Sequence, residues 1–296
     1  MKSYVRFLSN ITFLVVFVSA SLTQLAAQKV ENNQSGAGLA ALIKDVSKNE
    51  PFKIGETLQY GVTWSRLRLQ GLDVAEMTFK IVGDPQSTPN KIQLKAEAVS
   101  KGNLLKLASI FAPGDISFVQ KFDSTVQTDD FRILQAFHHD EYNKRIRDSE
   151  TNFDYTASKI TYRETDPNNL MLPPRMITSP LETSVQDIIS AIYYLRRQPL
   201  AVGKEFNVSL SDSGVVYDVP IKVTAREQQK SVLGKFWTLR VEPQIFGEKR
   251  PLAGDGKMVI WITDDWRHLP LRAQIQAKIG KIEIKLSRAE NLQPVK

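Results

Sequence analysis

From Pro51 onward the chain alternates apolar and polar residues with a period of two, the pattern of strands with one buried and one wet face. Leu58, Tyr60 and Val62 alternate with Thr57, Gln59 and Gly61. Ala75, Met77, Phe79 and Ile81 oppose Val74, Glu76 and Thr78, and Ile92, Leu94, Ala96 and Ala98 oppose Lys91, Gln93, Lys95 and Glu97. The same period predicts strands over 116–126, 131–139, 144–155 and 159–163, then over 205–210, 215–226, 236–242, 257–263, 269–279 and 282–288. No helical crossover fits between the early strands, so an antiparallel meander is expected rather than a parallel sheet. In the last pair, a two-residue turn at Gly280-Lys281 would set Ile279 against Ile282, Ala277 against Ile284 and Ile275 against Leu286. Glycine at the first turn position suits a type II′ hairpin, and all the apolar residues would then share one face.

Three segments depart from this period. Over 103–111, Leu104, Leu107, Ala108 and Phe111 fall on one helical face, and Pro113-Gly114 ends it. The strongest helix is expected over 182–197, where Ile188, Ile192 and Leu195 form a stripe with Val185, Ile189 and Tyr193 beside it. Thr183 or Ser184 would cap its start, Arg196 and Arg197 suit the negative end of its dipole, and Pro199 terminates it. A stripe this wide implies burial against a sheet. Between the strands and this helix lies Asp166–Pro180, rich in proline yet carrying Leu170, Met171, Leu172, Met176 and Ile177; such a loop is expected to lie over a core or rim a pocket. The fold expected is mainly β: a curved antiparallel sheet, either an open barrel or two packed sheets, with one central amphipathic helix on its concave side and short accessory helices.

The first residues have another character. Lys2 and Arg6 precede an apolar run of about ten residues, Ile11–Ala20, and small residues lead to Ala26-Ala27. The run is short of the roughly 20 residues a spanning helix needs. A signal peptide over 1–27, cleaved after Ala27, is therefore expected; the rival is an uncleaved anchor. Residues 28–50 are polar and read as a flexible lead, with a short helix over 38–46, ahead of a β domain over 51–290. No later apolar run is long enough to span a membrane. The chain has no cysteine, which removes disulfides, thiolate metal sites and the acylated cysteine of a bacterial lipoprotein. The net charge of +7 is spread along the chain, and Lys2 and Arg6 leave with the leader. Even the basic group Lys144-Arg145-Ile146-Arg147 is flanked by acids, so nucleic-acid binding is not expected.

Three groups could carry chemistry. His138-His139-Asp140-Glu141 has metal-ligand residue types, but neighbours on a strand point to opposite faces, so no metal site is expected there. Asp264-Asp265-Trp266-Arg267 places two carboxylates between strong strands; paired carboxylates can do acid–base work, but a hairpin turn with Arg267 paired to an Asp accounts for the residues as well. Asp187, Tyr193, Tyr194, Arg196 and Arg197 form a polar edge on the helix that could meet a ligand head group or simply cap and anchor it. Trp261 reads as core. Ser190 lies mid-helix with no nearby histidine, and no phosphate loop, nucleophile elbow or metalloprotease helix is present.

Several of these residues recur in a family pattern. Phe52-x-x-Gly55-Glu56-x-Leu58-x-Tyr60 opens the domain, and Asp187-x-x-Ser190-Ala191-x-Tyr193-Tyr194-Leu195-Arg196 follows in mid-chain. Gly234-Lys235-Phe236 and Ile260-Trp261-Ile262-Thr263-Asp264-Asp265 with Pro270 complete it. Over roughly residues 52–288 the chain resembles the bacterial envelope proteins of domain-of-unknown-function family 3108. The resemblance implies an exported, mostly β protein and brings no catalytic residues.

The function expected is that of a soluble periplasmic or otherwise exported protein, without cofactor and more a binder than an enzyme. Its partner would be an envelope lipid, glycan or protein, and the candidate ligand contacts are Asp187, Tyr193, Tyr194, Arg196, Trp261, Asp264 and Asp265. The alternatives are a carboxylate-based hydrolase or lyase acting on envelope glycan or lipid, and an assembly factor with no small-molecule site.

Overall fold

The computed structural model describes residues 50–295 apart from 84–87, 89, 102–116, 144 and 183. The expected leader, the lead segment apart from Glu50, and the helices over 38–46 and 103–111 lie outside the described residues. The strands are β1 (Thr57–Arg66), β2 (Leu69–Val82), β3 (Lys91–Ser100), β4 (Phe118–Gln127), β5 (Ile133–Tyr142), β6 (Arg145–Asp154), β7 (Lys159–Thr165), β8 (Arg175–Pro180) and β9 (Val185–Gln186). After helix α1 (Ile188–Arg197) come β10 (Glu205–Asp212), β11 (Val215–Ser231), β12 (Gly234–Pro243), β13 (Gly256–Thr263), β14 (Pro270–Ala277) and β15 (Gly280–Glu290).

All the strands belong to one sheet, which settles the choice between an open barrel and two packed sheets. It runs from β8 step by step back to β1, crosses to β15, and continues back to β9. Every neighbouring pair is antiparallel except β9 with β10. The chain thus folds as two meanders joined where β1 pairs with β15. Right-handed twist accumulated over so many strands forces curling, and here it brings the two ends together. Ser179 Oγ on β8 donates to the carbonyl of Gly214, in the β10–β11 turn, at 2.5 Å.

The ends overlap rather than meet edge to edge. Val219 on β11 faces the main core with Val208 and Leu210. Val216, on the opposite face of the same strand, packs on a separate cluster of Ile133, Phe153, Ile160, Leu181 and Val185. The inner side of β5–β7 therefore covers the outer side of the β9–β11 hairpin, and the sheet is a roll.

Two segments differ from expectation. The segment Asp166–Pro180 is not all loop, since β8 occupies its second half. Its prolines suggested irregular structure, but β8 is an edge strand, where a missing N–H is tolerated. Helix α1 starts six residues later than the apolar pattern suggested, at Ile188, because Val185-Gln186 pairs with β10. Its cap is consequently Asp187, which forms a reciprocal capping box with Ser190, and not Thr183 or Ser184.

The last hairpin has another register. Ala277 pairs with Gly280 and Ile275 with Ile282, so the turn is Lys278-Ile279 and not Gly280-Lys281. The shift is by an even number of positions, so the apolar faces still match. Ile279 decides the outcome: its carbonyl accepts from Trp64 Nε1 at 3.1 Å, and its side chain is buried in the core. Gly280 sits at φ +124°, and a Cβ there would lie 2.4 Å from the Ser65 carbonyl oxygen. Gly280→Ala is expected to lower stability by about 1–3 kcal/mol, because the backbone of β1 must move. Gly61→Ala, with open space around the site, should leave the urea midpoint nearly unchanged. Equal midpoints for the two variants would mean that the Ser65 contact is not a constraint.

Candidate ligand cavity

Helix α1 crosses the concave side of the roll and is pinned at both ends. At its start, Ser124 Oγ on β4 donates to Asp187, and Ser190 N donates to Asp187 Oδ1 at 2.7 Å. Burial pushes the Asp187 carboxyl above its ordinary range, and the bonds from Ser124 and Ser190 pull it back only in part. At the helix end, Arg196 is buried against Glu56, with Nη1 at 2.5 Å and Nη2 at 3.0 Å from the two carboxylate oxygens. Arg196 Nη2 also donates to the Pro51 carbonyl at 3.0 Å and Nε to the Arg267 carbonyl at 3.2 Å. The rings of Phe52 and Tyr193 flank the guanidinium at 5.2 and 5.5 Å. Burial alone would lower the guanidinium pKa, but Glu56 more than reverses this, so the guanidinium is held charged.

Between the helix and the sheet lies a cavity of about 170 Å³. Its walls are almost wholly aliphatic and aromatic: Met77 and Phe79 on β2, Phe122 on β4, Leu210 on β10, Ile260 and Ile262 on β13 and Ile284 on β15 are among them. Met77, Phe122, Ile260, Ala273 and Ile284 are only half-buried although they face inward, so the space communicates with solvent. The helix contributes Ile188, Ala191, Ile192 and Leu195. This is the stripe that was expected to pack on the sheet. Instead Ile188, Ala191 and Ile192 stay half-buried at the cavity wall, while Leu195 of the stripe is buried in the core together with Ile189, Ser190, Tyr193 and Arg196.

The residues singled out in the sequence do not converge on one site. Tyr193 and Arg196 border the cavity. Asp187 is the helix cap, and Tyr194 packs near Phe131 with ring centroids 6.5 Å apart. Trp261 lies on the other face of β13 from Ile260 and Ile262, where Glu227 Oε2 accepts from Nε1 at 3.0 Å and Arg272 covers the ring at 4.5 Å. Asp264 pairs with Arg226 at 2.5 Å. Asp265 belongs to the β13–β14 turn, accepting from Arg267 N at 3.0 Å and from its guanidinium at 2.7 Å. The two adjacent aspartates therefore serve different partners, as a turn requires. His138 stacks on Phe122 with centroids 4.1 Å apart, while His139 on the other face of β5 bonds Asp148 at 2.5 Å and Glu141 at 2.8 Å.

The loop expected to cover a cavity does not border this one. Leu170 and Met171 are 83% and 93% exposed, and neither lines the cavity. What sequence reasoning missed is Glu56 as the partner of Arg196. The signal was present: an acid just before an apolar strand and an arginine within an apolar helix are both out of place unless paired.

Glu56→Gln should therefore cost about 3–5 kcal/mol, because it leaves a buried guanidinium without its counter-charge. The double substitution Glu56→Leu with Arg196→Met should recover a substantial part of that loss, read as the urea midpoint. A double variant no better than Glu56→Gln would place the stabilisation in the bonds to Pro51 and Arg267 instead.

Comparison with known proteins follows the same lines. No curated protein matches the sequence. Among solved structures, a β-barrel-like protein of domain-of-unknown-function family 1849 from Brucella abortus superposes with a TM-score of 0.52 at 10% identity, covering 81% of this chain and 99% of its own. A Bacteroides fragilis protein with a YmcC-like fold matches at 9% identity and a TM-score of 0.33, covering 82% of this chain and 98% of its own. The first likeness supports the barrel-like architecture alone. The model of one family matches residues 59–287. The chain belongs to that family, the proteins of unknown function designated DUF3108.

Proposed function

We propose that this is an exported protein of the bacterial envelope that binds, without chemistry, an apolar portion of a lipidic ligand in the cavity beneath α1. The observation that carries this is the cavity wall. A folded chain buries such aliphatic surface when it can, because each buried methylene is worth about 0.8 kcal/mol. Here Ile188, Ala191, Ile192 and Ile260 are left half-buried around an inward-facing space. A volume of about 170 Å³ is comparable with apolar cavities of about 150 Å³ that take up benzene, so it suits a segment of an acyl chain rather than a whole lipid.

Export rests on the basic, apolar and small-residue order of the first 27 residues, and with Ala27 at the cleavage site the mature chain would be free of a lipid anchor. The rival reading, a carboxylate-based hydrolase or lyase, is not favoured by the geometry. Asp187, Asp264 and Asp265 are committed to a helix cap, an ion pair and a turn.

Filling the cavity tests the proposal. Ala191→Phe should lower affinity for the neutral fluorescent probe N-phenyl-1-naphthylamine at least tenfold, with thermal stability held or raised. Met171→Ala, in the exposed loop, should change neither property. Undiminished binding by the Ala191→Phe protein would remove the cavity as the binding site.

A further inference from the structure

The inner face of the roll changes character beyond the cavity. On β4 and β5 the inward positions run from Val126 and Ile133 to Gln120, His138 and Asp140, and on β6 and β7 from Phe153 and Ile160 to Arg147, Ser149 and Glu164. The apolar ends form the small core under the overlap. The polar ends lie beside Phe122, whose ring is a wall of the cavity on one side and stacks on His138 at an interplanar angle of 7°. The tip of the β10–β11 hairpin reaches the same region. A Cβ on Gly214 would meet Tyr162 at 2.6 Å, and Asp212 follows the cavity residue Leu210 by one inward position.

Among the described residues, the donors of this patch are incompletely used. Arg147 and Arg175 both approach one carboxylate oxygen of Glu164, at 3.7 and 3.9 Å, beyond hydrogen-bond reach. That oxygen already accepts from Tyr162 at 2.8 Å, and Asp140 accepts from Gln120 at 2.6 Å. His138 Nε2 is buried with no partner among the described residues. Burial pushes this imidazole down to about 4, against the pull of Asp140, so the ring is neutral near pH 7 and Nε2 can donate. The unmatched buried nitrogen of His138 is costly unless an acceptor arrives. On the same inner face, Arg147 and the more exposed Arg175, which also faces Asp212, hold guanidinium donors beyond hydrogen-bond reach of Glu164.

We propose that Arg147, Arg175 and His138 receive the anionic group, phosphate or carboxylate, of an amphiphile whose apolar chain enters the cavity past Phe122. The forked guanidinium donors match either oxyanion in geometry. This site rests on the cavity reading above and adds a headgroup class to it.

The test compares charged and uncharged probes of one chain on the intact purified protein. cis-Parinaric acid and its methyl ester report a carboxylate, and dodecyl phosphate and dodecanol, as competitors of the ester, report a phosphate. Wild-type protein should bind the acid, the phosphate or both at least tenfold more tightly than the matching uncharged compound. The variant Arg147→Gln with Arg175→Gln should lose that preference while keeping wild-type affinity for the ester and a wild-type melting temperature. The preferred acid identifies the source of the anion. Equal affinity of wild type for charged and uncharged members of both pairs would overturn the headgroup site and leave the cavity reading intact. So would a variant that weakens acid and ester alike. Failure of every probe to bind would overturn both.

Discussion

The buried Arg196–Glu56 pair is the constraint on which the arrangement depends. A helix laid across the inside of a rolled sheet needs its apolar stripe facing the cavity and its ends fixed, or it would settle onto the sheet and fill the space. Arg196 prevents this by reaching the carboxylate of Glu56 and the carbonyls of Pro51 and Arg267 together. These come from the segment before β1 and from the β13–β14 turn, so one side chain ties three distant parts of the chain. The pair is buried at 1% and 0% exposure. Buried pairs of this kind need not add net stability, because desolvation offsets attraction. What this one supplies is position, and the cap at Asp187 supplies the same at the other end.

The short motifs of this sequence take on a physical meaning in this light. Phe52 and Tyr193 meet edge to face at 5.2 Å over the guanidinium. Tyr60 OH donates to the Pro270 carbonyl at 2.9 Å. Thr263 Oγ1 accepts from Leu269 N at 2.8 Å and donates to Asp265 at 3.1 Å, which sets the turn that presents the Arg267 carbonyl to Arg196. Phe52, Glu56, Tyr193, Arg196, Thr263 and Asp265, scattered over separate short motifs, are parts of one clamp. They look like an active-site constellation because charged and aromatic groups converge, yet their hydrogen bonds are directed at each other and at the backbone.

The sheet was legible because period two is a strong local signal, and nearly every strand falls within a few residues of its expected span. The failures share a cause: a distant contact overrode a local preference. Val185 belongs to the helical stripe by pattern, but its pairing with Ser209 is available only after β10 has folded back. Gly280 suits a turn position by type, but Trp64 on β1 draws Ile279 into the turn instead. Of the candidate site, Tyr193 and Arg196 were found because they sit on the helix that builds it. Trp261, Asp264 and Asp265 were chosen for residue type, and residue type does not say which face of a sheet a side chain takes. The choice of face for Trp261 followed only from its neighbours, Ile260 and Ile262, which take the cavity side.

Why the sheet rolls past itself rather than closing bears on function. A closed barrel removes both edges by pairing them. Here the edges are dealt with separately. β9 contains only Val185 and Gln186, and β8 ends in Pro180, so neither offers a long row of free backbone groups. With the edges blunted individually, the ends need not register with each other and can slide into overlap. The overlap seals one stretch of the seam with Ile133, Phe153, Ile160 and Val216. It leaves the next stretch lined by Arg147, Glu164 and Arg175, groups too polar to be packed shut without losing water. A closed barrel of the same strands would have placed a continuous ladder there. The roll instead sets a polar seam against an apolar interior, with Phe122 as the shared wall, and that juxtaposition is what the proposed amphiphile would require.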